Sequence, residues 1–429
     1  MAARGMLVGM TSLKNTLLML GLAAWVAHAE NWPQFRGPDG QGHSKESSVP
    51  TTWSATDHLA WTTEIPGEAW SSPIVHGNRV FVTTTTDNGE SCRIIGLERK
   101  TGRILWNTEV FRQVPRRKET RNSYATPTPA TDGRRVYACF GDGSFAAVDF
   151  DGKPLWINRE HPFYSQHGLG TALVLHDGLL IMSRDASSEG ADKKVGWQIP
   201  WEKSYVVALD AKTGKQQWRT GRGRSRISHG TPVLWSDPTG RRQLVTEAGD
   251  VLQGFDLKSG TLLWTSDVPG EGKVPSVVIG GGMAFCSGGW GGKDGIKAFR
   301  LGGEGSLKQS NLVWEQKRGE PKVPSLIHLD GLVYAMTDTG MATCYEASTG
   351  AIVWQERVGG NFSASPVSAA GRIYFVGDNG QTTVLDASKT FRVVARNPLV
   401  EGEEVQASPA ISQGLFLLRT RRTLWAFKK

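Results

Sequence analysis

The sequence predicts an all-β protein, a single eight-bladed β-propeller of four-stranded antiparallel blades, with a velcro closure by an N-terminal strand in the last blade. Three observations carry that prediction. Seven tryptophans, Trp61, Trp106, Trp156, Trp218, Trp264, Trp314 and Trp354, recur at steps of 45, 50, 62, 46, 50 and 40 residues. All but the first end a variant of one phrase, fullest at 208–218 (ALDAKTGKQQW) and repeated as GLERKTGRILW, GFDLKSGTLLW and CYEASTGAIVW. The 52 glycines supply the tight turns that short strands need. A period of 40 to 50 residues built from short strands marks a blade array rather than one globular core.

In the first blade, 72–75 (SPIV) forms the inner strand and 79–84 (RVFVTT) the second, with a turn at His76-Gly77-Asn78. Asp87-Asn88-Gly89 turns the chain into 93–98 (RIIGLE), and Lys100-Thr101-Gly102 into 103–108 (RILWNT). Runs of β-branched and aromatic residues bounded by Gly, Asn and Asp have this strand-and-turn character. The tryptophan after each Thr-Gly turn places a large ring between adjacent blades, since no blade covers its own faces. The cycle restarts at Thr128-Pro129, Thr171-Ala172, Thr231-Pro232, Pro275-Ser276, Pro324-Ser325, Ser365-Pro366 and Ser408-Pro409. With Ser72-Pro73 that makes eight starts. The fifth blade has decayed punctuation at Gly302-Gly303-Glu304, and the seventh replaces its tryptophan with the stretch Phe391-Arg392-Val393-Val394. The eighth leaves room for three strands (407–412, 415–420 and 423–427), and 58–64 (HLAWTTE) supplies the fourth. Pairing both chain ends in one blade removes open edges. The propeller domain is therefore 58–429, preceded by a lead-in at 30–57.

Residues 1–29 read as an export signal. Arg4 and Lys14 precede an apolar run over 17–27, and Ala27-His28-Ala29 is a small-x-small cleavage site. The run is too short to span a bilayer, and no Cys near the cut offers a lipid anchor. The expected location is periplasmic or secreted. Without Arg4 and Lys14, the balance against the 41 acidic residues is +6, with both signs interspersed. The clusters 116–118 (RRK) and 222–226 (RGRSR) read as solvated loop charge, and nucleic acid is not an expected partner. Cys92, Cys139, Cys286 and Cys344 lie in different repeats and read as small buried hydrophobes.

At these repeats the chain resembles the pyrroloquinoline quinone (PQQ) repeat superfamily, whose docking motif AxDxxTGxxxW is matched at every fixed position by 208–218. The segment 31–42 (NWPQFRGPDGQG) resembles the lead-in of exported members. The resemblance implies one of two activities. Quinoprotein dehydrogenases oxidise alcohols or sugars with PQQ and a divalent metal such as Ca²⁺. The BamB-like branch is non-catalytic and docks partners. Fold alone does not choose between them.

The residues favour the second branch. The vicinal Cys-Cys of PQQ alcohol dehydrogenases is missing. Asp142, Asp338 and Asp378 stand in turn contexts (GDGS, TDTG, GDNG) suited to backbone hydrogen bonding rather than Ca²⁺. No GxSxG elbow, HExxH or paired-His spacing occurs. No cofactor, metal or catalytic residue is therefore expected.

Candidate binding residues come from aligning the blades on Pro73. Three positions earlier the repeats present Trp70, Thr126, Leu169, His229, Lys273, Lys322, Ser363 and Gln406. A ring of this kind either holds an anionic or sugar-like ligand, or an acidic partner loop, or simply lines a water-filled funnel. The third blade also carries an insertion between Met182 and Tyr205 with Trp197 and Trp201, and the fifth-blade loop carries Trp290. These rings are either contact residues or fold back on the propeller. The expected function is an exported, non-catalytic propeller that binds a protein, peptide or glycan of the cell envelope. A quinoprotein oxidoreductase is the alternative.

Overall fold

The computed structural model describes residues 1–2, 30–290 and 295–429; the expected export signal, all but its first two residues, lies outside the described residues. Eight sheets follow one another along the chain, and each is a blade. Blades one to seven span residues 74–112, 130–158, 174–221, 233–268, 278–316, 327–357 and 367–397. Blade eight joins Ala410–Ser412, Leu415–Arg419 and Thr423–Lys428 to Leu59–Glu64, which pairs antiparallel with Thr423–Lys428. Inner strands are short, three residues in most blades, because the surfaces converging on the axis leave little room. Buried apolar residues lie mainly between neighbouring blades, as in the cluster shared by blades five and six around Phe285 and Trp314.

One joint recurs at five interfaces. The closing tryptophan of each blade lays its ring on the hairpin glycine of the next, where the glycine's positive φ and missing side chain make room. A Cβ on Gly214 would lie 2.6 Å from the ring of Trp156, and the pairs Gly102–Trp61, Gly152–Trp106, Gly260–Trp218 and Gly350–Trp314 match it. In four of the five the indole N–H also reaches a carbonyl of the next blade, as from Trp106 to Phe150 (2.8 Å) and Trp156 to Ala211 (3.1 Å). Two residues beyond the tryptophan, Thr63, Thr108, Asn158, Thr220 and Gln316 donate to the carbonyl of the same glycine.

The structure departs from the sequence expectation in blades four, five and seven. Blade four has five strands, because Gly305–Lys308 from the decayed hairpin of blade five pairs in parallel with Leu262–Val268. Trp264 therefore meets no hairpin glycine; it is fully buried and donates to Gln243 of its own blade at 2.9 Å. In blade seven the register puts Ala395 where the tryptophan would stand, and the vacancy is not filled by residues 391–394. Phe391 packs instead on Trp354, centroid to centroid 5.2 Å. The missing ring is Trp53 of the lead-in, which lies against Tyr374 of blade seven (6.4 Å) and Phe416 and Phe427 of blade eight (4.8 and 5.1 Å). Asn397 holds it there, accepting from the Trp53 N–H at 3.0 Å and donating to the Thr51 carbonyl at 2.9 Å.

The first part of the lead-in, residues 30–46, crosses one end of the propeller axis. Trp32 pairs with Val75 of blade one, Pro33 accepts from Thr131 of blade two, and Gln34 from Leu175 of blade three. Gln41 accepts from Ile279 of blade five, Arg36 donates to the Leu326 carbonyl entering blade six, and Gly42 and Ser44 pair with Ser368 of blade seven. Glu46 accepts from Gln413 of blade eight. Arg36 is fully buried, and burial holds its guanidinium down at about 10. This lead-in is a stopper tied to seven of the eight blades. Among the described residues no helix is long and apolar enough to cross a membrane.

Candidate functional site

Around the axis, the first residue of each inner-strand approach is Ser72, Thr128, Ala172, Thr231, Ser276, Ser325, Ser365 or Ser408, and all eight line one cavity of about 330 Å³. Six of the seven hydroxyls accept the backbone N–H of the preceding blade's equivalent: Ser72 to Thr128 (3.0 Å), Ala172 to Thr231 (3.0 Å), Thr231 to Ser276 (2.9 Å), Ser276 to Ser325 (3.0 Å), Ser325 to Ser365 (3.1 Å) and Ser365 to Ser408 (2.9 Å). This belt satisfies the backbone donors that strands converging on an axis cannot offer to one another. Phe35 of the lead-in lies at its far end and lines the same cavity. The channel is therefore blind.

The belt corrects the alignment of the candidate ring. The belt residue marks the common position, and in blades three, five and six the residue aligned with Pro73 (Ala172, Ser276 or Ser325) is itself the belt residue, one position out of step with the other blades. A slip of one reverses the direction of a side chain in an extended segment. The cavity accordingly receives Gly170, Val274 and Val323 in place of Leu169, Lys273 and Lys322, alongside Trp70, Thr126, His229, Ser363 and Gln406. Leu169 is buried in the packing between blades two and three. Lys273 is buried too; it donates to the Gly288 carbonyl, and its charge faces Glu247, whose carboxyl burial pushes up. Lys322 lies over the ring of Trp290 at 4.6 Å. Every chain-derived position of the corrected ring is uncharged at neutral pH, because burial lowers His229 to about 4.

Two of the three off-ladder loop tryptophans come to the cavity. Trp197 lines it from the insertion, edge-on to His167 at 5.1 Å, and His167 meets His229 at 6.2 Å. Trp290 lines it from blade five, its backbone paired with Glu271. Trp201 does not; its backbone pairs with Ser225, and its ring packs near Gly196 and Lys203. The insertion is anchored below by the fully buried pair Arg222–Asp185 at 3.2 Å. Six of the seven repeat tryptophans donate their indole N–H to a protein acceptor, Trp218 being the exception. Among the described residues the indole N–H groups of Trp70, Trp197 and Trp290 reach no protein acceptor, and neither does the amide of Gln406 or the ring of His229 have a hydrogen-bond partner.

A residue missed in the sequence, Arg121, lines the mouth with Glu119 and Asn122. Arg121 acts on three carboxylates: it helps to lower Glu119, Asp338 and Asp378, the last two of which burial nevertheless raises. Asp338 accepts the Lys322 N–H at 2.7 Å, and Asp142 accepts from both the N–H and hydroxyl of Ser144. Asp142 thus has the turn role expected of it, whereas the Asp338 bond reaches a neighbouring loop and one Asp378 carboxylate oxygen is buried without a partner. The four cysteines are buried and unpaired.

Known proteins similar to this chain share the repeat propeller and divide between an assembly factor and dehydrogenases. The family model for outer membrane protein assembly factor BamB matches residues 50–185, 202–329 and 305–425. A polyvinylalcohol dehydrogenase of Pseudomonas sp. is 25% identical over 243 residues, covering 49% of this chain and 36% of that protein. The BamB of Yersinia pestis is 26% identical over 271 residues, covering 58% and 59%. The chain thus aligns with less than two thirds of the length of either relative. A europium-containing methanol dehydrogenase superposes with a TM-score of 0.65 at 11% identity over 93% of this chain and 98% of that one. BamB from Moraxella catarrhalis gives 0.57 at 11% over 86% and 97%. These two likenesses show the fold. The sequence match carries the family, and this chain belongs to the BamB-like PQQ-repeat propellers.

Proposed function

We propose that the chain is an exported, non-catalytic propeller that binds a protein, peptide or glycan of the cell envelope at the mouth of its blind axial cavity. The observation that supports this reading is the set of unused groups converging there: three indole N–H groups, the Gln406 amide and the His229 ring. These groups have no protein partner and stay open to solvent, Trp290 being 40% exposed, so in a concave site they are available to a guest. Kinship with BamB, an outer membrane assembly factor by name, favours an envelope setting.

The rival reading is a PQQ-dependent oxidoreductase of alcohols or sugars, favoured by kinship with polyvinylalcohol dehydrogenase. The rings of Trp70, Trp197 and Trp290 suit a flat aromatic guest. The accompanying metal fits less well, since Ca²⁺ takes six to eight oxygen ligands and no group of three His, Cys, Asp or Glu side chains comes together among the described residues.

The two readings separate in one titration of the mature protein with PQQ and Ca²⁺, following tryptophan fluorescence and dye reduction with simple alcohols and sugars. The binding reading expects no turnover; saturable quinone binding with turnover would overturn it. The loop face is tested by Trp197→Ala and Trp290→Ala. Capture of envelope partners should weaken in both, and unchanged capture would place the contact elsewhere.

A further inference from the structure

We infer that the guest of the axial cavity is the neutral, polyhydroxylated surface of a sugar, at the end of a glycan. This inference rests on the binding-protein reading above and narrows it to one ligand chemistry.

Charge is the first argument. The ring around the axis holds no lysine, and His229 is neutral above about pH 4. The arginine lining the mouth, Arg121, already faces Glu119, Asp338 and Asp378. The other cations near the mouth, Lys322 over Trp290 and Arg421 over Trp70, face Asp338 and Glu404, so a polyanion would have to displace these carboxylates and meet a large desolvation cost. Hydrogen bonding is the second. An extended peptide recognised through its backbone needs free N–H and C=O groups on a strand edge. Here the backbone N–H groups nearest the axis are already bound to hydroxyls of the next blade. What remains free is the planar indole, amide and imidazole edges, which suit hydroxyls that both donate and accept.

Shape is the third argument. The C–H bonds on one face of a pyranose carry partial positive charge and lie against the negative face of an aromatic ring. Trp197 supplies such a ring from the insertion and Phe35 lies at the floor, while Trp70 and Trp290 line the cavity with Arg421 and Lys322 each over one ring face. A cavity of about 330 Å³ has room for a sugar unit or two, so a chain end enters while the remainder stays in solvent.

The test is tryptophan fluorescence and calorimetric titration of the full mature protein with cellotetraose, maltotetraose and chitotetraose, with trigalacturonate and PQQ as anionic probes. At least one neutral oligosaccharide should bind saturably, with little change between about 0.05 and 0.5 M salt, a range over which ionic contacts are strongly screened. Trp197→Ala and Gln406→Ala, neither of which belongs to a blade joint, should each weaken it by about tenfold or more while the melting temperature holds. Failure of all three neutral probes at about 10 mM, or a preference for trigalacturonate or PQQ, would overturn the inference. If sugars fail yet capture of envelope proteins still depends on Trp197 and Trp290, only the ligand class falls. If a sugar binds and is also oxidised, the ligand class stands and the non-catalytic reading falls.

Discussion

His161 and His229 are both held at about 4, far below the ordinary 6.5, and burial is the main cause in each. An unfolded chain would protonate both as pH falls below 6.5, while the folded chain resists until about 4. The unfolded state therefore binds more protons in that window, and stability, fully present above pH 6.5, declines as the pH drops towards 4. His161 sits between Phe145 and Tyr205, with both ring nitrogens buried and unpaired. His161→Phe keeps the ring contacts and removes the titration. Urea midpoints across this pH range should fall less steeply in the variant, by up to about 3 kcal/mol at the acid end; parallel curves would mean that His161 is not the group involved. Lys273 and Lys322 show why such residues were hard to place from sequence. The pair that starts each inner strand varies in order (Ser-Pro, Pro-Ser, Thr-Ala), and aligning Ala172, Ser276 and Ser325 with Pro73 moves three side chains to the wrong side of the strand. Only the hydrogen-bonded belt shows which member of the pair the fold uses.

The blade joint is the most legible element, because its parts lie close together in sequence and recur. Tryptophan, the polar residue two positions later and the turn glycine can all be read from one repeat, and the next repeat receives them. Trp53 escaped that reading because it lies outside the period, more than 340 positions from the Asn397 that holds it. The vacancy at Ala395 was visible as a decayed repeat, but its occupant could not be found locally. Trp53→Ala should therefore cost as much as losing a regular joint ring, about 3–5 kcal/mol by denaturant titration. A loss below about 1 kcal/mol would make the ring incidental to the joint between blades seven and eight. Gly214→Ala probes the receiving side: a methyl group 2.6 Å from the Trp156 ring, on a positive φ, should cost about 2–4 kcal/mol.

At the scale of the molecule, the repeat announced eight blades and their order, while the stopper at 30–46 was legible only as a resemblance. Its bonds go one or two at a time to different blades, so no periodic pattern exposes them. Arg36 carries the contact most exposed to test. Arg36→Ala leaves the Gln41 and Leu326 carbonyls without their donor, and the urea midpoint should drop by the equivalent of about 2–4 kcal/mol. An unchanged midpoint would show that the stopper seals the channel without bracing it. The stopper also has a consequence in time. Residues 30–46 are made before any blade, yet Glu46 finds Gln413 at a separation of 367 positions, and Leu59–Glu64 must wait for Thr423–Lys428. Such distant contacts form slowly, because each closes a very long loop before any binding energy is gained. Until the last blade exists, the first strand has no partner and the axis stays open at both ends. The half-made protein is a ring of sheets with bare edges, so its most aggregation-prone moment comes just before completion.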